Sequence, residues 1–252
     1  MDRLTILGLL LGIGALFGTQ LLEGGHLGAL VQGPAAMIVL VGTLGATLLS
    51  TSREVISSAR VELALAFRVL PDRRHVLPAK FRDLAFLARK DGLISLEKMS
   101  HTLPSAFMQR AIQHVIDGCD ESQLRDVLEA DIESRSNARL EAARVFEVAG
   151  GYAPTMGILG AVLGLVRAME ALADPDALGQ GIAVAFIATI YGVGLANLVL
   201  LPLAEKIRDR ADREQAEDEM VADGMLGLQA GVAPRMIERQ LQARLTHRSN
   251  DS

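Results

Sequence analysis

Side chains able to do chemistry are few in this sequence, and they are thinly spread. The five histidines (His26, His75, His101, His114 and His247) show no ligand spacing such as HxxxH, and the single Cys119 excludes an intramolecular disulfide and a thiolate metal cluster. No nucleophile–base set, phosphate loop or metal cluster appears, so neither an enzyme nor a metalloenzyme is expected, and no cofactor or nucleic-acid partner is implied. What remains are hydroxyls and prolines inside or beside long apolar runs: Thr155 and Pro154 in GGYAPTMG, Thr189, and Pro202 in LLPLAEK. A threonine in such a run either bonds back to its own helix carbonyl or offers an oxygen to something that passes. A proline there is either a routine helix-end residue or a hinge, since it removes a backbone donor and kinks a helix. The residues alone leave both choices open.

The elements that must position these residues are membrane spans. Half of the 252 residues are hydrophobic and the mean hydropathy is +0.30, above the usual range of a soluble domain. A spanning helix needs roughly 20 mostly apolar residues. Four stretches qualify: about Leu4–Leu22, about Pro34–Leu49, about Val148–Met169 and about Gly181–Leu203. The first resembles a signal peptide in having Arg3 before an apolar run. It is long, lacks a small-x-small cleavage site and is followed at once by a second span, so it is read as a span.

Charge asymmetry sets the orientation. The connections Glu23–Gly33 and Glu170–Gln180 contain no Lys or Arg, whereas 15 of the 25 Lys and Arg lie between Arg53 and Arg144 and 8 between Lys206 and Arg248. Both termini and the middle segment are therefore expected in the cytoplasm. Arg167, near the outer end of the third span, is expected to snorkel or to pair with Glu170. The expected fold is an all-α membrane protein, with four transmembrane helices in two hairpins and a cytoplasmic helical domain between them. The division is 1–50 for the first hairpin, 51–147 for the middle domain, 148–204 for the second hairpin and 205–252 for the tail.

In the middle domain the pattern predicts helices over Ser52–Leu70 up to Pro71, over Leu77–Lys90 up to Asp91-Gly92, and from Pro104 to about Asp117-Gly118. A long charged helix from Glu121 leads to the third span, and the tail opens as AEKIRDRADREQAEDEM, read as a solvated face. The spans contain no internal Asp, Glu, Lys or His, although carboxylates are the usual intramembrane proton relays. If the chain conducts ions, a partner helix brings the acid. The pairs Gly8/Gly12, Gly14/Gly18 and Gly160/Gly164, with Gly157 on the last of these helices, predict close helix packing in an oligomer.

The segment GGYAPTMGILGAVLGLVRAMEALADPDALGQGIAVAFIATIYGVGLANLVLLPLAEKI resembles the second hairpin of the MotA/PomA flagellar stator family, and EGGHLGALVQGPAAMIVLVGTLGATLL resembles its first. The cytoplasmic LARKDGLISLE is similar to the family's stretch before its rotor-contact residues, and the likeness runs from about residue 1 to about 240. APTMGILGAVLGL is shared in looser form with the ExbB/TolQ proteins, which have three spans. An ion-driven motor of that kind, energising an outer-membrane process, is the alternative; a secondary transporter lacks support without inverted repeats or interrupted helices.

The resemblance implies a stator subunit of the bacterial inner membrane that serves motility and chemotaxis. By it, Pro154 and Pro202 couple ion flow to movement, and Thr189, with Thr155, lines the ion path. Arg89 and Glu97, with Lys90 beside them, contact the rotor protein FliG; some relatives carry further acids after Glu97, where this chain has Lys98 and Ser100. Sodium-driven relatives carry threonines at the positions of Ala161 and Ala188. A partly dehydrated cation wants oxygen ligands, so these alanines suggest protons. The family further implies a homo-pentamer around two copies of a MotB-type, peptidoglycan-binding subunit, whose transmembrane Asp supplies the missing acid.

Overall fold

The computed structural model describes residues 3–22, 24, 27–68 and 72–248, and every regular element among them is helical. His26 and the expected stop at Pro71 lie outside the described residues. In chain order the main helices are α1 (Arg3–Leu22), α2 (Gly33–Ser50), α3 (Arg53–Ala66), α4 (Leu77–Asp91), α5 (Ala106–Ile116), α6 (Glu121–Glu170), α7 (Pro175–Gln229) and α8 (Pro234–Arg248). Among the described residues three helices, α2, α6 and α7, are long and apolar enough to cross a membrane; the apolar stretch of α1, Leu10–Leu22, is shorter. The chain divides into two compact units, residues 1–69 with 138–209 and residues 70–137 with 210–252, and α6 and α7 contribute to both.

In the first unit, α2 lays Ala35 and Val39 against Ile187 and Ala188 of α7. Pro34 sits in the first turn of α2, where a missing amide costs nothing. Asp174 caps α7 by accepting from the amides of Asp176 and Ala177 at 3.1 and 3.3 Å, with Pro175 following as the first helical residue. The Tyr191 hydroxyl donates to the Leu30 carbonyl and accepts from the Gln32 amide at 3.2 Å, which ties the connection before α2 to α7. Further along α7, Ala66, Ala143 and Ile207 form a small apolar contact, beside which Arg208 pairs with Glu147 and Glu205. Arg167 and Glu170 are both exposed and form no ion pair with each other.

Two π-helical turns interrupt the regular ladder, Met37–Val41 in α2 and Ala196–Leu200 in α7. The second has a visible cause. Pro202 offers no amide to Leu198 and its ring would crowd that carbonyl, and the wider turn just before it takes up the misfit. The helix therefore continues past Pro202 instead of ending there.

The second unit has a continuous apolar core that includes Phe81, Leu84, Phe107, Ile112, Leu128 and Met225. Its α4 stripe is the expected one, with Phe81, Leu84 and Ala85 buried, and it stops at Gly92, whose φ of +82° favours glycine. The third helix begins at Ala106, two residues beyond Pro104, because the Ser105 hydroxyl caps it by accepting from the Met108 amide at 3.1 Å.

The tail departs from a solvated face. Ala216, Met220, Val221 and Met225 are buried, and Asp218, only 4% exposed, pairs with Arg135 at 2.8 Å. Burial also holds the carboxyls of Glu217 and Asp223 above their usual range. A helix rich in both charge and apolar residues can bury a narrow stripe that a charge run hides from view. Because Arg135 keeps about a quarter of its surface, Asp218→Asn is expected to cost the lower part of what an uncompensated buried charge costs, about 3 kcal/mol. A fall in the thermal midpoint of the solubilised protein, largely restored by Arg135→Met with Asp218→Leu, checks this.

Candidate functional site

The hairpin of α6 and α7 is packed backbone to backbone. A Cβ added at Gly157 would lie 2.9 Å from the Ala188 carbonyl oxygen, and one at Gly192 would lie 2.5 Å from that of Ala153. Gly164 meets Ala185 and Gly181 in the same way, so small residues on both helices form one seam. Gly12 of α1 packs on Leu198, whereas Gly8, Gly14 and Gly18 meet nothing within 4 Å in this chain.

The seam decides where the candidate residues point. Ala188 is fully buried, facing Gly160, whose added Cβ would come within 2.7 Å of the Ala188 Cβ. Thr189, the next residue, is turned outward and exposed, as is Thr155 on α6. Ala161 is half-buried. The structure thus places Thr155 and Thr189 on exposed helix faces and removes Ala188 to the interior.

Both threonines back-bond: Thr155 donates to the Tyr152 carbonyl at 2.7 Å and Thr189 to that of Ala185 at 3.2 Å. This uses the hydroxyl proton and leaves the oxygen lone pairs free to accept from water or to ligate a cation. The local and the functional readings therefore do not compete. Pro154 lies inside α6, which runs through it unbroken, and its half-buried ring sits next to Thr155. Pro202 is exposed, directly after the π turn of α7.

Two buried hydroxyls of α2 were missed by the sequence reading. Thr43 and Thr47 of α2 are both buried; Thr47 donates to the Thr43 carbonyl at 2.7 Å, and the Thr43 hydroxyl has no partner among the described residues. The signal was their spacing: Ala35, Val39, Thr43 and Thr47 continue one buried stripe at intervals of four.

The charged candidates lie in the second unit. Arg89 and Lys90 close α4, and Glu97 opens a single helical turn, Glu97–Ser100, after the Gly92 bend and the 3₁₀ turn Leu93–Leu96. All three are exposed. Arg89 donates to the Gly231 carbonyl at 3.0 Å, in the turn between α7 and α8. Among the described residues Lys90 and Glu97 have no ion-pair partner. A cavity of about 160 Å³, lined in part by Ala88, Leu93, Leu228 and Val232, opens beside Arg89.

Comparison with known proteins supplies the class. The model of the MotA/TolQ/ExbB proton channel family matches residues 99–220, and that of the Motility protein A N-terminal region matches residues 6–75. Chemotaxis protein PomA of Vibrio alginolyticus is 34% identical over 96% of this chain and 94% of its own length. Motility protein A of Bacillus subtilis is 30% identical over 96% of this chain and 90% of its own. Among solved structures, C. jejuni MotAB superposes with a TM-score of 0.90 at 28% identity, covering 97% of this chain and 96% of that one. The flagellar MotAB stator complex of Bacillus subtilis gives 0.88 at 29% identity, covering 98% and 99%. The chain belongs to the motility protein A family, within the MotA/TolQ/ExbB proton channel proteins, and is a channel subunit of the membrane rather than an enzyme.

The seam separates the two alanines experimentally. Ala188→Thr forces extra atoms against Gly160, and overpacking of this kind costs about 1–3 kcal/mol, whereas Ala161→Thr, half-buried, is expected to be near neutral. Thermal unfolding of the two solubilised variants beside the parent measures the difference.

Proposed function

We infer that this chain is a flagellar motor stator subunit which, with a MotB-type partner, couples inward proton flow to torque on the rotor. The observation that carries this reading is the length of the match: relatives named for motility and chemotaxis align along nearly the whole chain, the cytoplasmic part included. The Motility protein A N-terminal match over residues 6–75 favours it over an ExbB/TolQ-like motor.

In this reading α1 is the first of four spans, and both termini and the middle domain are cytoplasmic, as the distribution of Lys and Arg supports. Five copies surround two MotB-type subunits anchored to peptidoglycan. The partner's membrane Asp takes up a proton from outside and releases it inward, along a path edged by the outward oxygens of Thr155 and Thr189. Neutralising and recharging a membrane-buried carboxylate shifts its preferred surroundings by several kcal/mol. The pentamer answers by stepping around the anchored dimer, and Pro154 and Pro202 shape the helices that respond. The absence of a side-chain oxygen at half-buried Ala161 supports a proton as the coupling ion, whereas Ala188, turned into the seam, bears on the packing of the hairpin and not on the ion. Arg89, Lys90 and Glu97 engage opposite charges on FliG. Exposed pairs of this kind are worth about 0–1 kcal/mol each, which suits a contact that forms and releases quickly.

Deleting the gene, together with any second stator locus, is expected to leave cells with normal filaments that do not swim in soft agar. Swimming should return with the intact gene and not with Pro154→Ala or Thr189→Val. Arg89→Glu should slow rotation and regain part of it when a facing acid of FliG is reversed. Normal swimming by the deletion strain would remove the flagellar reading.

A further inference from the structure

Helices α4 and α8 pack side by side in the second unit, and between them runs an open groove of about 460 Å³. Its wall on α4 is Arg82 and Phe86; its wall on α8 is Arg235, Glu238, Arg239 and Gln242. Arg82 is already held by Asp83 and by Glu238, each at 2.9 Å. Arg235 and Arg239 stand one helical turn apart, exposed, with no carboxylate partner among the described residues. This leaves uncompensated positive charge in a groove of a chain whose formal net charge is −5.

Phe86 is 53% exposed in that groove. An uncovered phenylalanine flanked by arginines is the composition of a binding hot spot, where an aromatic anchor and guanidinium groups supply most of the contact energy. Phe86 also lies four residues after Arg82 and three and four before Arg89 and Lys90, on one face of α4. The groove is therefore continuous with the helix end that carries the charged contact residues.

We propose that the α4–α8 groove is a second foothold for the rotor-side partner, receiving an acidic helical segment that lays an apolar side chain on Phe86 and carboxylates on Arg235 and Arg239. The occupant follows from charge and shape: the guanidinium groups of Arg235 and Arg239 call for acids, and the exposed ring of Phe86 on the opposite wall calls for one apolar side chain. The proposal rests on the rotor-contact reading of Arg89 and Glu97 and extends it with a component that salt does not screen.

The test uses the full-length chain as the sole stator in living cells. Arg235→Glu with Arg239→Glu, and separately Phe86→Ala, are compared with Arg89→Glu for rotation speed of tethered cells, with membrane levels of the chain measured in each strain. A photo-crosslinking side chain at Gln242 identifies what sits in the groove. Support is a drop of about two-fold or more in speed for both groove variants at unchanged membrane level, with an adduct to the rotor protein. Unchanged speed in both, while Arg89→Glu is slow, overturns the proposal and leaves the charged contact standing. An adduct to a second copy of this chain, or no adduct, also overturns it. If Arg89→Glu and the groove variants all rotate normally, the rotor-contact reading fails as well.

Discussion

The direct approach of the α6 and α7 backbones is the constraint on which the membrane unit depends. In lipid there is no hydrophobic driving force between helices, so association rests on close packing and on hydrogen bonds. The glycines at 157 and 192 allow carbonyls of the opposite helix to come where a side chain would otherwise stand. Once those backbones touch, the rotation of each helix about its own axis is fixed. Ala188 must turn in, and its neighbour Thr189 must turn out. A larger residue in the seam would separate the helices and also re-aim the hydroxyls on their outer faces.

A second consequence concerns charge. The apolar stretches hold oxygens and no ionisable relay, so the chain by itself offers ligands and hydrogen-bond acceptors without a group that stores a proton. Back-bonding of Thr155 and Thr189 fits this division. A hydroxyl whose proton is committed to its own helix presents only acceptor character outward, which suits a hydronium, a water donating a hydrogen bond, or a protonated acid.

Much of this was legible in the sequence. Apolar run length placed α2, α6 and α7, the helical three-to-four spacing of apolar positions placed α4, and Asp91-Gly92 marked its end. Motif likeness pointed to the family. What escaped had physical causes. The tail helix buries Asp218 against Arg135, and a paired buried acid looks the same in sequence as a solvated one. Thr43 and Thr47 were lost inside a run that hydropathy alone defined as a span, although their spacing put them on its buried stripe. Whether Pro202 ended a helix or bent one stayed open in the residues; the π turn before it lets α7 continue, and hydrogen-bond register of that kind leaves no mark in composition.

The geometry at Arg89 explains why an arginine suits that position. One guanidinium nitrogen is spent on the Gly231 carbonyl, which joins the end of α4 to the turn before α8. A lysine making that bond would have its single charged nitrogen committed there. An arginine has five donors in a rigid fork, so it can hold the turn with one edge and still offer the other to a carboxylate arriving from outside. The Gly231 carbonyl belongs to the same unit and is held beside Arg89 by the fold, so that bond re-forms without bringing two molecules together. The internal bond thus fixes where the guanidinium charge of Arg89 stands at the end of α4.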